Sequence, residues 1–216
     1  DLLDKYDSTV YDPAKAKQIF ESKGYTMGSD GFYAKDGKHL KADVLLKSED
    51  PILPPLIIGA LQDVGIDAAP RALADAAYFD ARNRGNFDIE TAHVACGSVV
   101  EPYDELNNLN SRWIKPIGEL APNNIWGWKN EEYDKLVNEM QTIAPGDPKE
   151  HELFRKALEI RLKELPILSL TQQQRVVPYT TRYWTNWPTA KNDYHQPPNW
   201  WQNFLILVTN IKSATQ

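Results

Sequence analysis

The strongest constraint on the fold of this chain is an alternation of two periodicities across its first 94 residues. Lys41 to Lys47, Ile66 to Arg71 and Phe87 to Val94 read as strands. Helical signals stand between them. Pro51 to Leu61 places Pro54 and Pro55 near a first turn, with Gly65 beyond its end, and Asp75 is expected to cap a further helix that stops at Gly85. Strand, helix, strand, helix, strand implies right-handed crossovers and a parallel or mixed sheet covered by helices. Ahead of it, Asp12-Pro13 caps a helix ended by Gly24, and Phe32-Tyr33 sits between turn signals as a hairpin.

The pattern changes after Val94. Residues 95 to 129 are rich in Asn, Pro, Gly and Trp with few periodic apolar positions, too long for an idle connection, so a functional loop is expected. Two helices follow. Tyr133, Leu136, Val137 and Met140 mark the first, and the second opens on Asp147-Pro148 with Glu150 completing a capping box. Pro166 to Leu170, Val176 to Tyr179 and Asn203 to Ile211 read as strands.

At 216 residues the chain can bury a core without disulfides or metal. Its net charge of −6 argues against a nucleic-acid partner, whose electrostatic footprint is basic. Cys96 stands alone, so no intrachain disulfide forms. No apolar run approaches the roughly 20 residues of a spanning helix. The chain opens on Asp1 rather than Met, as expected of a sequence processed or cut from something longer.

Familiar catalytic patterns are missing. His93 and Cys96 form H-x-x-C without a second ligand pair, and His151 begins a zinc-protease pattern that ends on Arg155 where the second His is required. There is no nucleophile elbow and no Gly-rich phosphate loop. Glu101, Asp104 and Glu105 offer paired carboxylates, for which a solvated acidic loop is the simpler reading.

Tryptophan is the unusual component. Residues 180 to 201 carry four of the seven, among prolines and asparagines. Trp126-Gly127-Trp128 follows Asn123-Asn124, with Trp113 shortly before. An indole covers the C–H face of a sugar ring, and Asn or Glu side chains satisfy its hydroxyls. The alternative is core packing beneath loops.

The order of motifs resembles the oligopeptide/dipeptide-binding class (family 5) of bacterial ABC-transporter solute-binding proteins. Tyr11-Asp-Pro-Ala-Lys-Ala-Lys17 with Gly24-Tyr25 looks like the opening segment of that family's second lobe. Asp36-Gly37-Lys38, Gly65-Ile66-Asp67, Phe79, Gly85-x-Phe87-Asp88 and Asn130-Glu-Glu-Tyr-Asp134-Lys-Leu follow in order. The resemblance implies an α/β lobe like those of periplasmic binding proteins, residues 1–175, with a mixed sheet covered by helices. It further implies a tail, residues 176–216, returning to a first lobe that would precede Asp1. It implies a periplasmic or extracellular solute carrier, a membrane permease as partner, no enzymatic activity and no cofactor; anchoring to a membrane through the absent N-terminus is left open.

Peptide-binding relatives carry W-x-x-D-Y-x-E/D-P after the third strand, whose aspartate pairs with the peptide amine. Here Ala95 and Ser98 replace the Trp and the Asp, while Glu101-Pro102 is kept. A buried ammonium needs a counter-charge. The departure and the Trp-rich tail favour the carbohydrate-binding branch, which takes cello- or manno-oligosaccharides. Trp113, Trp126 and Trp128 are expected to stack on sugar rings, and Asn123, Asn124 and Glu101 to contact hydroxyls. Trp184, Trp187 and Tyr194 line the cleft from the tail or pack the hinge. A peptide binder using Glu101, a carbohydrate-active enzyme or its binding module, and a structural domain with an aromatic core are the alternatives.

Overall fold

The computed structural model describes residues 1–47, 52–92, 102–144, 146–170, 177–194 and 204–214. It divides into two compact units, Asp1–Gly97 with Pro102–Leu168, and Ser98–Glu101 with Ser169–Gln216.

In the first unit a short helix α1 (Leu2–Lys5) precedes α2 (Pro13–Ser22). Asp12 caps α2 as its residues predict, its side chain accepting from the Lys15 N–H. The antiparallel sheet β1 (Thr26–Met27), β2 (Tyr33–Lys35) and β3 (Lys38–His39) turns at Asp36-Gly37, both at positive φ. The main sheet is parallel, ordered β5-β4-β6, from β4 (Lys41–Lys47), β5 (Asp67–Leu73) and β6 (Ile89–Glu90). Helices α3 (Leu53–Asp63) and α4 (Asp75–Asn83) are the crossovers. Central β4 buries Ala42, Val44, Leu45 and Leu46, a near-continuous apolar run of the kind a strand covered on both faces requires. Pro70 lacks a ladder N–H, and it sits on the edge strand, where that donor is not needed.

Helices α5 (Tyr103–Asn107), α6 (Glu131–Met140) and α7 (Pro148–Glu164) form a second layer. Leu106, Leu109, Tyr133, Val137, Met140, Leu153 and Ala157 make its core. The apolar spacing read in α6 is the face it buries, Tyr133, Val137 and Met140 fully and Leu136 in part.

Several local expectations change. Asp75 is the first helical residue of α4, not its cap, and places its carboxylate in the positive first turn. Asp147 caps α7, but Glu150 reaches back to the Gly146 N–H (2.8 Å) instead of completing a capping box on Asp147. Of the expected third strand the described residues form Ile89–Glu90; at its start the Asp88 carboxylate takes the Asp43 N–H at 2.8 Å, in place of a ladder carbonyl, and residues 93 and 94 lie outside the described residues. Within the expected loop 95–129, α5 and a 3-10 turn at Ser111–Trp113 form, while 93–101 lie outside the described residues.

In the second unit, β7 (Trp184–Thr185) pairs antiparallel with β8 (Lys212–Ser213). Residues 166–170 and 177–179 pair with no strand among the described residues. The expected terminal strand is instead the helix α8 (Phe204–Asn210). A short unbroken apolar run does not distinguish helix from strand. Here the Thr209 hydroxyl and the Asn210 amide donate back to the Leu205 (2.9 Å) and Ile206 (2.8 Å) carbonyls, which suits a helix. Among the described residues no helix is long and apolar enough to cross a membrane.

Candidate functional site

A cavity of about 290 Å³ opens in the first unit, where α4, α5, α7 and the connection before α6 meet. The end of α4 organises it. The last carbonyls of a helix lack intrahelical donors. Here Gly118 N–H meets Arg84 O (2.9 Å) and Ala121 N–H meets Asn83 O (2.8 Å), laying the connection along the helix end. Gly85 turns the chain at φ +63°, and a Cβ there would come within 3.1 Å of the Ile125 carbonyl. The connection then places Asn123, Asn124, Ile125 and Trp126 along the cavity.

Two arginines and a glutamate supply the charge. Arg161 of α7, whose side chain is 14% exposed, pairs with Glu105 of α5 at 2.9 Å. Arg82 pairs with Glu90, whose carboxylate is 2% exposed and also accepts from the Tyr78 hydroxyl at 2.9 Å. Burial, reinforced by the Glu90 charge, pushes the Tyr78 phenol well above the usual tyrosine range. Each guanidinium lining the cavity is thus matched by a carboxylate.

The cavity gathers three of the nine expected site residues, Asn123, Asn124 and Trp126. Asn124 is 1% exposed and serves the backbone. Its Nδ2 donates to the carbonyls of Leu109, Asn110 and Trp128, and its Oδ1 is buried without a partner among the described residues. Trp128 lies elsewhere, edge-on to Tyr133 at 4.9 Å, with its indole N–H on Glu164 (2.9 Å). Trp113 is half-buried, stacked by the Arg112 guanidinium (4.8 Å), and donates to Asn107 (3.3 Å). Trp126 packs against the helical core, and its N–H meets no acceptor among the described residues.

Trp184, Trp187 and Tyr194 belong to the second unit. Trp187 stacks on Tyr179 at 5.0 Å and donates to the carbonyls of Thr180 (3.1 Å) and Trp184 (3.0 Å). The Tyr194 hydroxyl donates to Asn186 O at 2.6 Å. Trp184 is exposed, and its N–H meets no acceptor among the described residues. Glu101 lies outside the described residues, as do Cys96, Ser98, His93, Trp200 and Trp201.

Position within the sheet matters too. α4 runs antiparallel to β4 and β6, so Arg82 and Asn83 lie toward the amino-terminal edge of those strands. Open α/β sheets present ligands at the carboxyl edge, which here leads into residues 48–51 and 93–101. Sequence reading missed Arg82, Asn83, Asn108 and Arg161 at the cavity. None has a sequence signal, because each is brought there by helix packing. Among the described residues no group of three or more His, Cys, Asp or Glu is placed to hold a metal.

No family model matches the chain. A mannohexaose-bound periplasmic oligopeptide-binding protein of an ABC transporter from Thermotoga maritima is similar over 100% of this chain and 41% of its own, with 26% identity and a TM-score of 0.76. AppA, the oligopeptide-binding protein of Bacillus subtilis solved with a nonapeptide, shares the fold over 72% of this chain and 30% of its own, at 20% identity and a TM-score of 0.60. The probable deoxycholate-binding periplasmic protein YgiS of Escherichia coli K12 is 24% identical over 164 residues, 74% of this chain and 27% of that protein. The chain therefore spans less than half the length of each of these relatives, which are solute-binding proteins rather than enzymes. With an α/β fold of this type and likeness along its full length to one of them, the chain is similar to ABC-transporter periplasmic solute-binding proteins of the oligopeptide-binding class.

Proposed function

We propose that this chain serves solute capture for an ABC importer, outside the cytoplasm, and that its solute is a neutral oligosaccharide of the manno- or cello- type. The observation that carries the reading is the likeness, over the entire chain, to a protein solved with mannohexaose bound. The sequence supports it: Ser98 stands where peptide binders carry the amine-pairing aspartate. Of the tryptophans, Trp126 and Trp184 are the best ring-stacking candidates, because Trp113, Trp128 and Trp187 already commit their N–H groups within the protein. Asn123 is the matching hydroxyl contact. The remaining length of such a protein would supply a second lobe, and the permease would be its membrane partner.

Calorimetric titration of the full-length protein with mannohexaose, cellohexaose and a mixed peptide set tests this. Saturable heat with a hexasaccharide is expected. Binding of peptides alone would replace it by the second reading, which the nonapeptide-bound neighbour favours and in which Glu101 faces the peptide amine. Glu101→Gln would then abolish peptide binding. Deoxycholate belongs in the same titration because the curated relative is named for it.

A further inference from the structure

We infer that the outer face of α3 is a docking surface for a second copy of this protein, paired helix to helix across a two-fold axis. The inference goes beyond the solute reading and does not rest on it.

From Leu53 to Leu61, α3 carries no charged or hydrogen-bonding side chain. Its inner face explains part of this: Pro54 is buried, and Ile58 and Leu61 pack against the core of β4 and β5. The opposite face is formed by Ile52, Leu56, Gly59, Ala60 and Asp63, spaced i, i+4, i+7, i+8 and i+11. There Ile52 is 69% and Leu56 65% exposed. A helix that is apolar all round is one that is covered all round.

The stripe is graded along its length, and the gradient selects the partner. Ile52, Pro55 and Leu56 make its amino-terminal half bulky, while Gly59 and Ala60 leave the other half small. A Cβ on Gly59 would meet nothing within 4 Å, so the space above it is open. Turned end for end about a two-fold axis at its centre, α3 sets Leu56 opposite Gly59, Pro55 opposite Ala60 and Ile52 opposite Asp63, each twice over. Bulk then meets space in both directions, as a self-complementary contact between identical subunits requires. The same pairing sets the helix dipoles antiparallel and brings each Asp63 carboxylate toward the positive end of the facing helix. Pairing along the neighbouring sheet edge is disfavoured. Pro70 removes a donor from edge strand β5, and the Gln62 amide covers the Ala68 carbonyl at 2.9 Å. Eleven residues make a contact roughly 16 Å long. One helix pair of that length falls short of the roughly 800 Å² per partner of a standard interface, so the dimer is weak and reversible.

Sedimentation velocity on the full-length protein, from micromolar to millimolar concentration, tests this. Leu56→Glu and Gly59→Leu are compared with the unmodified protein, with a melting temperature recorded for each at the lowest concentration. A monomer–dimer equilibrium is expected, weakened tenfold or more by each variant at an unchanged or raised melting temperature. Gly59→Leu separates docking from folding, because it removes a helix-weakening glycine while filling the space that the facing Leu56 needs. A protein that stays monomeric throughout, or a dimer untouched by both variants, would overturn the inference. So would a melting temperature lowered by Leu56→Glu in the monomer, which would show that the same polypeptide already covers this face. Importer-driven uptake in reconstituted vesicles that is lost in Leu56→Glu, with the unmodified protein monomeric, would give the face to the permease instead.

Discussion

The side-chain amide of Asn124 donates to the main-chain carbonyl of Trp128 at 2.8 Å, and closes the Trp126-Gly127-Trp128 turn from inside. The same nitrogen meets the Leu109 carbonyl at 2.8 Å and that of Asn110 at 3.2 Å, two hydrogens serving three acceptors. Asn124 adopts φ +44°, a left-handed conformation that asparagine tolerates better than most residues. Asn124→Ala orphans buried carbonyls at about 1 kcal/mol each and strains the backbone by about another 1 kcal/mol, so a loss of about 2–4 kcal/mol is expected. Asn124→Asp, which turns a carboxylate toward carbonyl oxygens, should lose more. Urea midpoints measure both, and two values within 0.5 kcal/mol (roughly the scatter of neutral surface changes) of the unmodified protein would dismiss this role.

Trp126 and Trp128 should separate function from stability. Trp126→Ala is expected to weaken mannohexaose binding tenfold or more, about 1.4 kcal/mol, with the fold intact. Trp128→Ala removes the edge contact to Tyr133 and the bond to Glu164, and should cost about 2–4 kcal/mol of stability. Calorimetry and thermal melts on the two variants will show the division or its absence.

Two glycines at positive φ differ in their surroundings. At Gly37 (φ +73°) a Cβ meets nothing within 4 Å, so Gly37→Ala should cost about 1 kcal/mol of backbone strain. At Gly65 (φ +86°) a Cβ would lie 2.8 Å from both Met27 Cε and Tyr33 Cδ2. Gly65→Ala adds overpacking against the Tyr33 ring and should cost about 3 kcal/mol or more. Equal destabilisation by the two changes would contradict this packing.

Two buried tyrosines should respond oppositely to Tyr→Phe. The Tyr133 hydroxyl donates to Leu106 O at 2.8 Å, so Tyr133→Phe should destabilise by about 1–2 kcal/mol. The Tyr33 hydroxyl is buried without a partner among the described residues, so Tyr33→Phe should be neutral or stabilising by up to about 1 kcal/mol. Denaturant unfolding decides the sign of each.

Alkaline pH should destabilise the protein through Tyr133 and Tyr78. Burial raises the phenol of Tyr133, and that of Tyr78, far above the usual range. A raised acid is held neutral in the folded state and ionises readily once unfolded. Its contribution is complete below about pH 10, the unfolded value, and is lost as pH rises beyond it toward the folded value. Stability should therefore fall above about pH 10, and Tyr133→Phe should flatten that fall. A slope unchanged in Tyr133→Phe would exclude this tyrosine as a source.

Legibility of the fold followed the range of the interactions. The Asp12 cap, the buried stripe of α6 and the near-continuous apolar run of β4 depend on residues close in sequence, and the residues alone declare them. Two readings differ from the structure, one where a distant group intervenes and one where the local signal is ambiguous. Asp88 takes a ladder donor from Asp43, 45 positions away, at the start of β6. At α8, an apolar run equally suited to both states became helical, with Leu207 its one buried residue.

For the candidate site, composition pointed to Trp and Asn together, and the local Asn123-to-Trp126 segment does line a cavity. Which indoles keep a free N–H was not readable, because the acceptors lie far off in sequence: Glu164 for Trp128 is 36 residues away. Arg161 and Glu105 meet across 56 positions, through helix packing that carries no local pattern. Short-range propensity and periodicity thus determined the elements and the class of fold. The charge-matched, amide-lined cavity was decided only when long-range packing chose partners among many chemically equivalent side chains.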